Sequence, residues 1–409
     1  MKLQRPPGLI FVLITLFIDV MGVGLSAPIL PKLIAQFIGD VSTASYYYGA
    51  VTTTYALMLF IFSPIQGALS DRFGRKPVLL FSLLGTGLTY IGLTFAPSLP
   101  WIFTAQILNG LTGGSVAVVF AYIADISTPE ERPKNFGLVG AFLALGWVVG
   151  PALGGLLGAW GLRFPFAVAA IITFVNMVYG IIVVSESHAV EHRRPFSWTR
   201  ANPIGSLWLL RKNAIVFGLA AVILCTDVGL QCFVSTWVLF TTYKFQWQTV
   251  QVGLSMALLG IITAIVQGGL IRPLISRFGS RRIIIIGLTF SIIGYLLYAS
   301  ANAGWMLYWI IVLNGFDFTV KPTVQGLISA QVSPQEQGAI QGALASLTAL
   351  ATIIGPLLAT NLFGYFTSSR TVIRLPEIPF FLGAFLFAVA LSLAIATFSK
   401  GKSQNLQTP

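Results

Sequence analysis

Apolar positions fill this chain in long blocks, and polar positions interrupt them at near-regular intervals. Twelve blocks run 8–30, 46–69, 78–97, 101–123, 137–159, 165–184, 214–240, 249–271, 283–301, 305–329, 339–363 and 379–398. Each approaches the roughly 20 residues that an α-helix needs to cross a hydrocarbon core of about 30 Å. The pattern predicts an all-α membrane protein with twelve transmembrane helices, here called spans 1 to 12. The first block is too long for a secretory signal, and Pro28 and Pro31 follow it rather than a small-residue cleavage site. It reads as span 1.

Composition strengthens that picture. The 409 residues are 56% hydrophobic and only 9% charged, against about 25% charged in a soluble chain. So few charges cannot coat a water-facing surface, and bilayer is the expected solvent. The formal charge of +12 matters less than its placement. With both termini cytoplasmic, the inner segments hold 18 of the 24 lysines and arginines: Lys2, Arg5, Arg72, Arg75, Lys76, Arg132, Lys134, Arg193, Arg194, Arg200, Arg211, Lys212, Arg272, Arg277, Arg281, Arg282, Lys400 and Lys402. The outer loops hold Lys32, Arg163, Lys244, Arg370 and Arg374, and Lys321 lies inside a span. The positive-inside rule fixes this orientation. The basic charge then faces a membrane leaflet, and nucleic acid is not expected as a partner.

Other chemistry is sparse. Cys225 and Cys232 sit on one helix about 10 Å apart, too far for a disulfide. No His/Cys cluster has metal spacing, and His188 and His192 read as solvated loop residues. No phosphate-binding glycine loop points to ATP. No nucleophile–base arrangement points to an enzyme. Neither cofactor nor metal is expected.

The longest stretch between spans is 185–213, read as a cytoplasmic linker. It divides a six-span half (1–184) from a second (214–398), with a cytoplasmic tail at 399–409. The halves repeat at an offset of 205 residues. "DRFGRK" (71–76) falls on "SRFGSR" (276–281), "ILNG" (107–110) on "VLNG" (312–315), "TPEE" (128–131) on "SPQE" (333–336), and "GP" (150–151) on "GP" (355–356). Duplicated six-helix halves are a common construction of secondary transporters, with sites near the midplane.

Four segments carry a resemblance to a family. "GALSDRFGRKPVLL" (67–80) resembles the loop 2–3 motif of the major facilitator superfamily. "GWVVGPALGG" (146–155) resembles the span 5 motif of its proton-coupled exporters. "LFIDVMGVGLSAPILPKL" (16–33) and "QGAIQGALASLTALATIIGPLL" (337–358) resemble spans 1 and 11 of the tetracycline/H⁺ antiporters. The resemblance covers nearly the whole chain. It implies the two-repeat transporter fold, proton-coupled export of a small molecule, and a cytoplasmic latch formed by Gly67, Asp71, Arg72, Arg75 and Lys76 with Asp125. Gly67 would allow close backbone approach between helices. Asp71 would accept from a helix N-terminus and from arginine. Gly146, Gly150, Pro151, Gly154 and Gly155 would form a hinge between the halves; ordinary small-residue packing is the plainer reading. The chain departs from the tetracycline exporters at Thr89, Gln106, Thr263 and Ser291, where they carry two acids, an arginine and a histidine. Ser276 replaces the loop aspartate in the second half, so a latch would be asymmetric.

Four ionisable residues lie deep in spans: Asp19, Asp227, Asp317 and Lys321. Such residues cost about 2.5–3.5 kcal/mol each and usually face a cavity or a partner. Asp317 and Lys321 stand four apart, on one helical face, and are expected to pair. Asn314 and Gln325 continue that stripe, and Pro322 frees the carbonyl of Phe318. Asn109, Thr112 and Gln231 complete a candidate substrate cavity. Asp227 would contact substrate or pair with Lys321. Asp19, Asp227 and Asp317 are the proton-coupling candidates. Desolvation disfavours the charged form of an unpaired acid, which makes Asp19 the leading carrier. Trp101, Trp160, Trp247 and Trp305 read as interfacial anchors.

The expected protein is a monomeric, proton-coupled secondary transporter of the inner membrane. It would export a small amphiphilic compound, tetracycline-like among others, by alternating access, with protons and lipid as its remaining partners. The alternatives are proton-linked movement of a polar metabolite and a non-transporting membrane sensor.

Overall fold

The computed structural model describes residues 7–128, 130–188, 191, 193, 208, 210, 211, 213–333, 336–369 and 371–405, without the side chains of Pro7, Pro133 and 400–405. Lys2, Arg5, His192, Arg194, Arg200, Lys212, Arg370 and most of the linker lie outside the described residues, as does the side chain of Lys402.

Six helical segments precede the linker and six follow it. Span 1 is α1 (Pro7–Ser26) with α2 (Leu30–Ile38), and span 2 is α3 (Val41–Phe73). Span 3 is α4 (Arg75–Thr94), and span 4 is α5 (Leu99–Thr112) with α6 (Ser115–Ile126). Spans 5 and 6 are α7 (Arg132–Gly158) and α8 (Phe164–Val183), and span 7 is α9 (Ala214–Phe245). Span 8 is α10 (Thr249–Ile265), a π-turn (Val266–Leu270) and α11 (Ile271–Phe278); span 9 is α12 (Ser280–Ser300). Span 10 is α13 (Gly304–Leu313), a 3₁₀ segment (Asn314–Thr319) and α14 (Val320–Ser329). Spans 11 and 12 are α15 (Gln337–Thr367) and α16 (Ile378–Asn405).

Eleven helices among the described residues are long and apolar enough to cross a membrane. The twelfth block is helical too, but the 3₁₀ segment divides it into α13 and α14. Span 4 breaks at the equivalent place, Gly113–Gly114. Backbone carbonyls freed at such a break need partners inside a membrane protein. Gln66 donates to the Leu111 carbonyl at 2.6 Å, and Ser82 to that of Thr112 at 2.5 Å.

The chain forms two compact units. The first comprises Met1–Phe37, Thr54–Asn202 and Gln248–Ala257; the second comprises Ile38–Thr53, Pro203–Trp247 and Leu258–Pro409. Inside the first, α1 packs on α6, α7 and α8, and α4 on α5, α6 and α8. Its core includes Phe11, Leu16, Leu79, Leu83, Val119 and Ile123. In the second, α9 packs on α14, α15 and α16, and α12 on α14, α16 and the 3₁₀ segment. Its core is aromatic: Phe233 lies 4.6 Å from Trp237 and 5.3 Å from Tyr298, centroid to centroid. Trp247 belongs to that core and stacks on Tyr308 at 5.4 Å, only 6% exposed. It is therefore not the interfacial anchor expected from its position at a span end. Trp101, Trp160 and Trp305 are exposed.

The span 5 glycines divide between two neighbours. A Cβ at Gly150 or Gly154 would overlap the backbone of Met21 or Leu25 on α1. One at Gly155 would come within 2.9 Å of Gly253 Cα on α10. Small residues are thus needed on both faces of α7, while Pro151 lies inside the helix. Gly67 differs from expectation. Nothing lies within 4 Å of where its Cβ would be, because this part of α3 meets no neighbour at that face. Gly67 has no close approach to serve here.

Candidate functional site

The loop between α3 and α4 is the first of three polar clusters. Arg75, only 7% exposed, donates to Asp71 Oδ1 at 2.5 Å, Ser70 Oγ at 2.7 Å and Asp125 Oδ2 at 3.1 Å. The motif and the end of α6 thus meet as their residue types require. Four further hydrogen bonds tie the end of α8 and the residues after it to the start of α4. Glu186 accepts from the backbone N–H groups of Arg75 at 2.8 Å and Lys76 at 3.1 Å. Lys76 in turn donates to the carbonyls of Ile181 at 3.0 Å and Val184 at 2.6 Å. A carboxylate at one helix start and an ammonium at another's end both follow the helix dipole. Arg72 is exposed and lies over the Phe73 ring, outside this cluster. Glu186 is a participant that sequence reasoning missed; nothing in "VVSESH" announces which loop it would reach.

The second cluster surrounds Asp19, midway along α1. Ser115 donates to Asp19 Oδ2, and Oδ1 has no hydrogen-bond partner among the described residues. Ser115 is the first residue of α6, so the carboxyl group faces a helix start created by the span 4 break. No cation pairs with Asp19 among the described residues.

The third cluster overturns the expected pairing of Asp317 with Lys321. Lys321 Nζ lies 2.9 Å from both carboxylate oxygens of Asp227 on α9. Thr348 on α15 donates to Asp227 at 2.7 Å and accepts from Lys321 at 3.0 Å. Asp227 is nearly buried, its side chain 6% exposed, whereas that of Lys321 is 35% exposed. Asp317 instead accepts from Ser291 on α12 at 2.6 Å. The reason is the 3₁₀ segment: its tighter winding, three residues per turn, destroys the i,i+4 alignment that an α-helix would give. The polar stripe splits accordingly. Asn314 is buried against Gly294, Asp317 turns to Ser291, and Lys321 reaches α9.

The remaining cavity candidates are mixed. Asn109 is half-buried and donates to Gln106 at 3.4 Å. Thr112 is 1% exposed beneath Gly85 and bonds its own helix at the Leu108 carbonyl. It is therefore no cavity wall. Gln231 is half-buried beside Gly355, and Gln325 is half-buried. Ser115 and Thr348 were not singled out in the sequence. Isolated hydroxyls on apolar helices look alike until a fold supplies their partners. No group of three His, Cys, Asp or Glu among the described residues could hold a metal ion.

Comparison with known proteins places the chain in a family. Residues 12–356 and 219–407 match the family model described as Major Facilitator Superfamily. Tetracycline resistance protein, class C, of Escherichia coli is 39% identical over 94% of this chain and 95% of its own length. Tetracycline resistance protein, class H, of Pasteurella multocida is 33% identical over 95% of each. Among solved structures, the human organic anion transporter MFSD10 (TETRAN) shares the fold with a TM-score of 0.68 at 22% identity, covering 96% of this chain and 100% of that one. Two six-helix repeats, a charged motif between spans 2 and 3, and full-length kinship with resistance proteins make this chain a member of the major facilitator superfamily.

Proposed function

We propose that the protein exports a small amphiphilic drug, with tetracyclines as the first candidates, in exchange for protons. It works by alternating access as a monomer in a bacterial inner membrane, with both termini cytoplasmic. The observation that carries this reading is Asp19. It is an acid within an apolar span, held by one hydroxyl and by no cation among the described residues. A buried carboxylate in that position gains and loses a proton more readily than one locked to a lysine. Full-length similarity to tetracycline resistance proteins supports the direction and the substrate class.

The other clusters then acquire roles. The Arg75–Asp71–Asp125 cluster is the latch of the cytoplasmic side, with Glu186 and Lys76 fastening its base. Gly146, Gly150, Gly154 and Gly155 with Pro151 let α7 slide and bend against α1 and α10. Lys321, whose side chain is the more exposed of its pair, meets polar groups of the substrate with Gln231 and Gln325, and Asn109 contributes from the first unit. A lysine exposed at that depth is compatible with an aqueous route rather than hydrocarbon.

The deciding experiment records pH inside proteoliposomes on addition of tetracycline, for the parent and for Asp19→Asn. Tetracycline-dependent proton movement in the parent, absent from Asp19→Asn, is the expected result. Equal proton movement in both would remove Asp19 from the mechanism. A second reading, proton-linked movement of a polar metabolite, draws on the Asp227–Lys321–Thr348 cluster, which suits a polar ligand. Uptake of polar metabolites with no response to tetracycline would select it.

A further inference from the structure

The geometry points to Asp317 as a second proton-exchange site, the partner of Asp19 in the other repeat. The inference rests on the proton-coupled reading above and concerns how many protons each cycle moves. Its basis is a correspondence between the two broken spans. The 3₁₀ segment at 314–319 maps, through the offset of 205 residues, onto 109–114. That range ends on the Gly113–Gly114 break of span 4. At each break a serine–carboxyl pair is found, with the serine at the first break and the carboxyl group at the second. At the first, Asp19 accepts from Ser115, which opens α6. At the second, Asp317, inside the 3₁₀ segment, accepts from Ser291 on α12 at 2.6 Å. Both residues are partly buried, and Asp19 Oδ1 is itself buried without a hydrogen-bond partner among the described residues. Neither has an ion pair among the described residues.

The choice of partner is the chemical argument. A hydroxyl both donates and accepts. Serine can donate to the carboxylate and, after protonation, accept from the carboxylic acid, so it serves both states. An ammonium only donates, so it serves the carboxylate alone. Asp227, with both oxygens on Lys321 and a third bond from Thr348, is built to stay charged. Asp19 and Asp317 are built to switch.

The groups facing Asp317 fit that assignment. Ser291, Tyr295 and Tyr298 approach from α12. The Tyr295 hydroxyl is engaged with the Gly229 carbonyl at 3.0 Å, and that of Tyr298 is buried without a partner among the described residues. From α9 comes the charge of Asp227, and on α14 Lys321 is already engaged by it. On the α10 side, apolar Ile262 and the π-turn residue Val266 lie against Gly315. Lys321 is thus committed to Asp227, and no cation pairs with Asp317 among the described residues.

Two measurements test the proposal. The first needs no ligand: infrared titration of the purified full-length protein, following the carboxylic-acid carbonyl band. The parent should show a band that loses one titrating component in Asp317→Asn and a different one in Asp19→Asn. A band unchanged by Asp317→Asn overturns the proposal. The second loads proteoliposomes with tetracycline under a one-unit pH gradient, with the membrane potential clamped at zero. Each exchanged proton then supports about a tenfold drug gradient. The parent should hold about 100-fold and Asp317→Asn about tenfold, with Asp317→Glu returning toward the parent. A parent plateau of about tenfold, or one unchanged in Asp317→Asn, overturns the second coupled proton. A parent that moves no tetracycline defeats the drug-export reading instead, and the infrared titration still decides whether Asp317 exchanges a proton.

Discussion

Asp19 and Asp227 are both aspartates inside apolar helices, yet their surroundings differ in kind. Asp19 is held by one hydroxyl, with one oxygen unpartnered. Asp227 is gripped through both oxygens by a lysine and by a threonine from a third helix. The first arrangement leaves the carboxyl group free to change protonation. The second spends its interactions on keeping a charge buried. Position in a membrane span is thus not enough to make an acid a proton carrier; the partner decides. On the proposed reading, an acid shared with a lysine is a structural element, whereas an acid shared with a serine can exchange protons.

The largest test of the contrast is functional. Asp19→Asn should abolish tetracycline-driven proton movement in proteoliposomes while leaving the protein folded, because asparagine keeps the shape and the hydrogen bond to Ser115. The largest effect on stability belongs to the other cluster. Lys321→Met leaves Asp227 buried and unpaired, and should lower stability in detergent by about 3–5 kcal/mol. Adding Asp227→Asn should recover most of that loss, and a thermal-unfolding comparison of the single and double variants would show whether it does. No recovery would mean that the lysine acts through something other than its partner.

Smaller effects sharpen the frame around both acids. Gly150→Ala drives a methyl group into the backbone of α1 near Met21 and should cost about 1–3 kcal/mol. Gly67→Ala meets open space and should leave thermal stability within about 0.5 kcal/mol of the parent. Another small effect lies outside the spans, at Asp40. Backbone N–H groups of Thr43 at 2.8 Å and Ser42 at 3.3 Å cap α3 there and hold the carboxyl group below its usual range. Asp40→Ala should cost about 1 kcal/mol or less. A lowered folded-state value stabilises above the unfolded carboxylate's range and is lost as pH falls through the folded one. The difference between parent and variant should therefore shrink on acidification, as unfolding curves at neutral and acid pH would reveal.

Much of this protein is determined along the chain. Twelve apolar blocks, a constant repeat offset and the loop motif fix the fold, because a bilayer demands long apolar helices and duplication leaves equal spacings. Arg75 meeting Asp125 was legible too, through the resemblance of the loop motif to its family. What the tertiary structure decided is who holds whom. Helical periodicity alone pairs Asp317 with Lys321. The 3₁₀ turn at 314–319 breaks that periodicity and hands Lys321 to Asp227 and Asp317 to Ser291. Trp247 enters an aromatic core, a Cβ at Gly67 would meet nothing within 4 Å among the described residues, and Glu186 caps a helix 111 residues away in sequence. Sequence spacing sets which residues share a face only while the helix stays regular. Where it winds tighter or breaks, contacts between helices choose the partners: Asp317 sits within one such break, and Asp19 on α1 is held by the serine at the other.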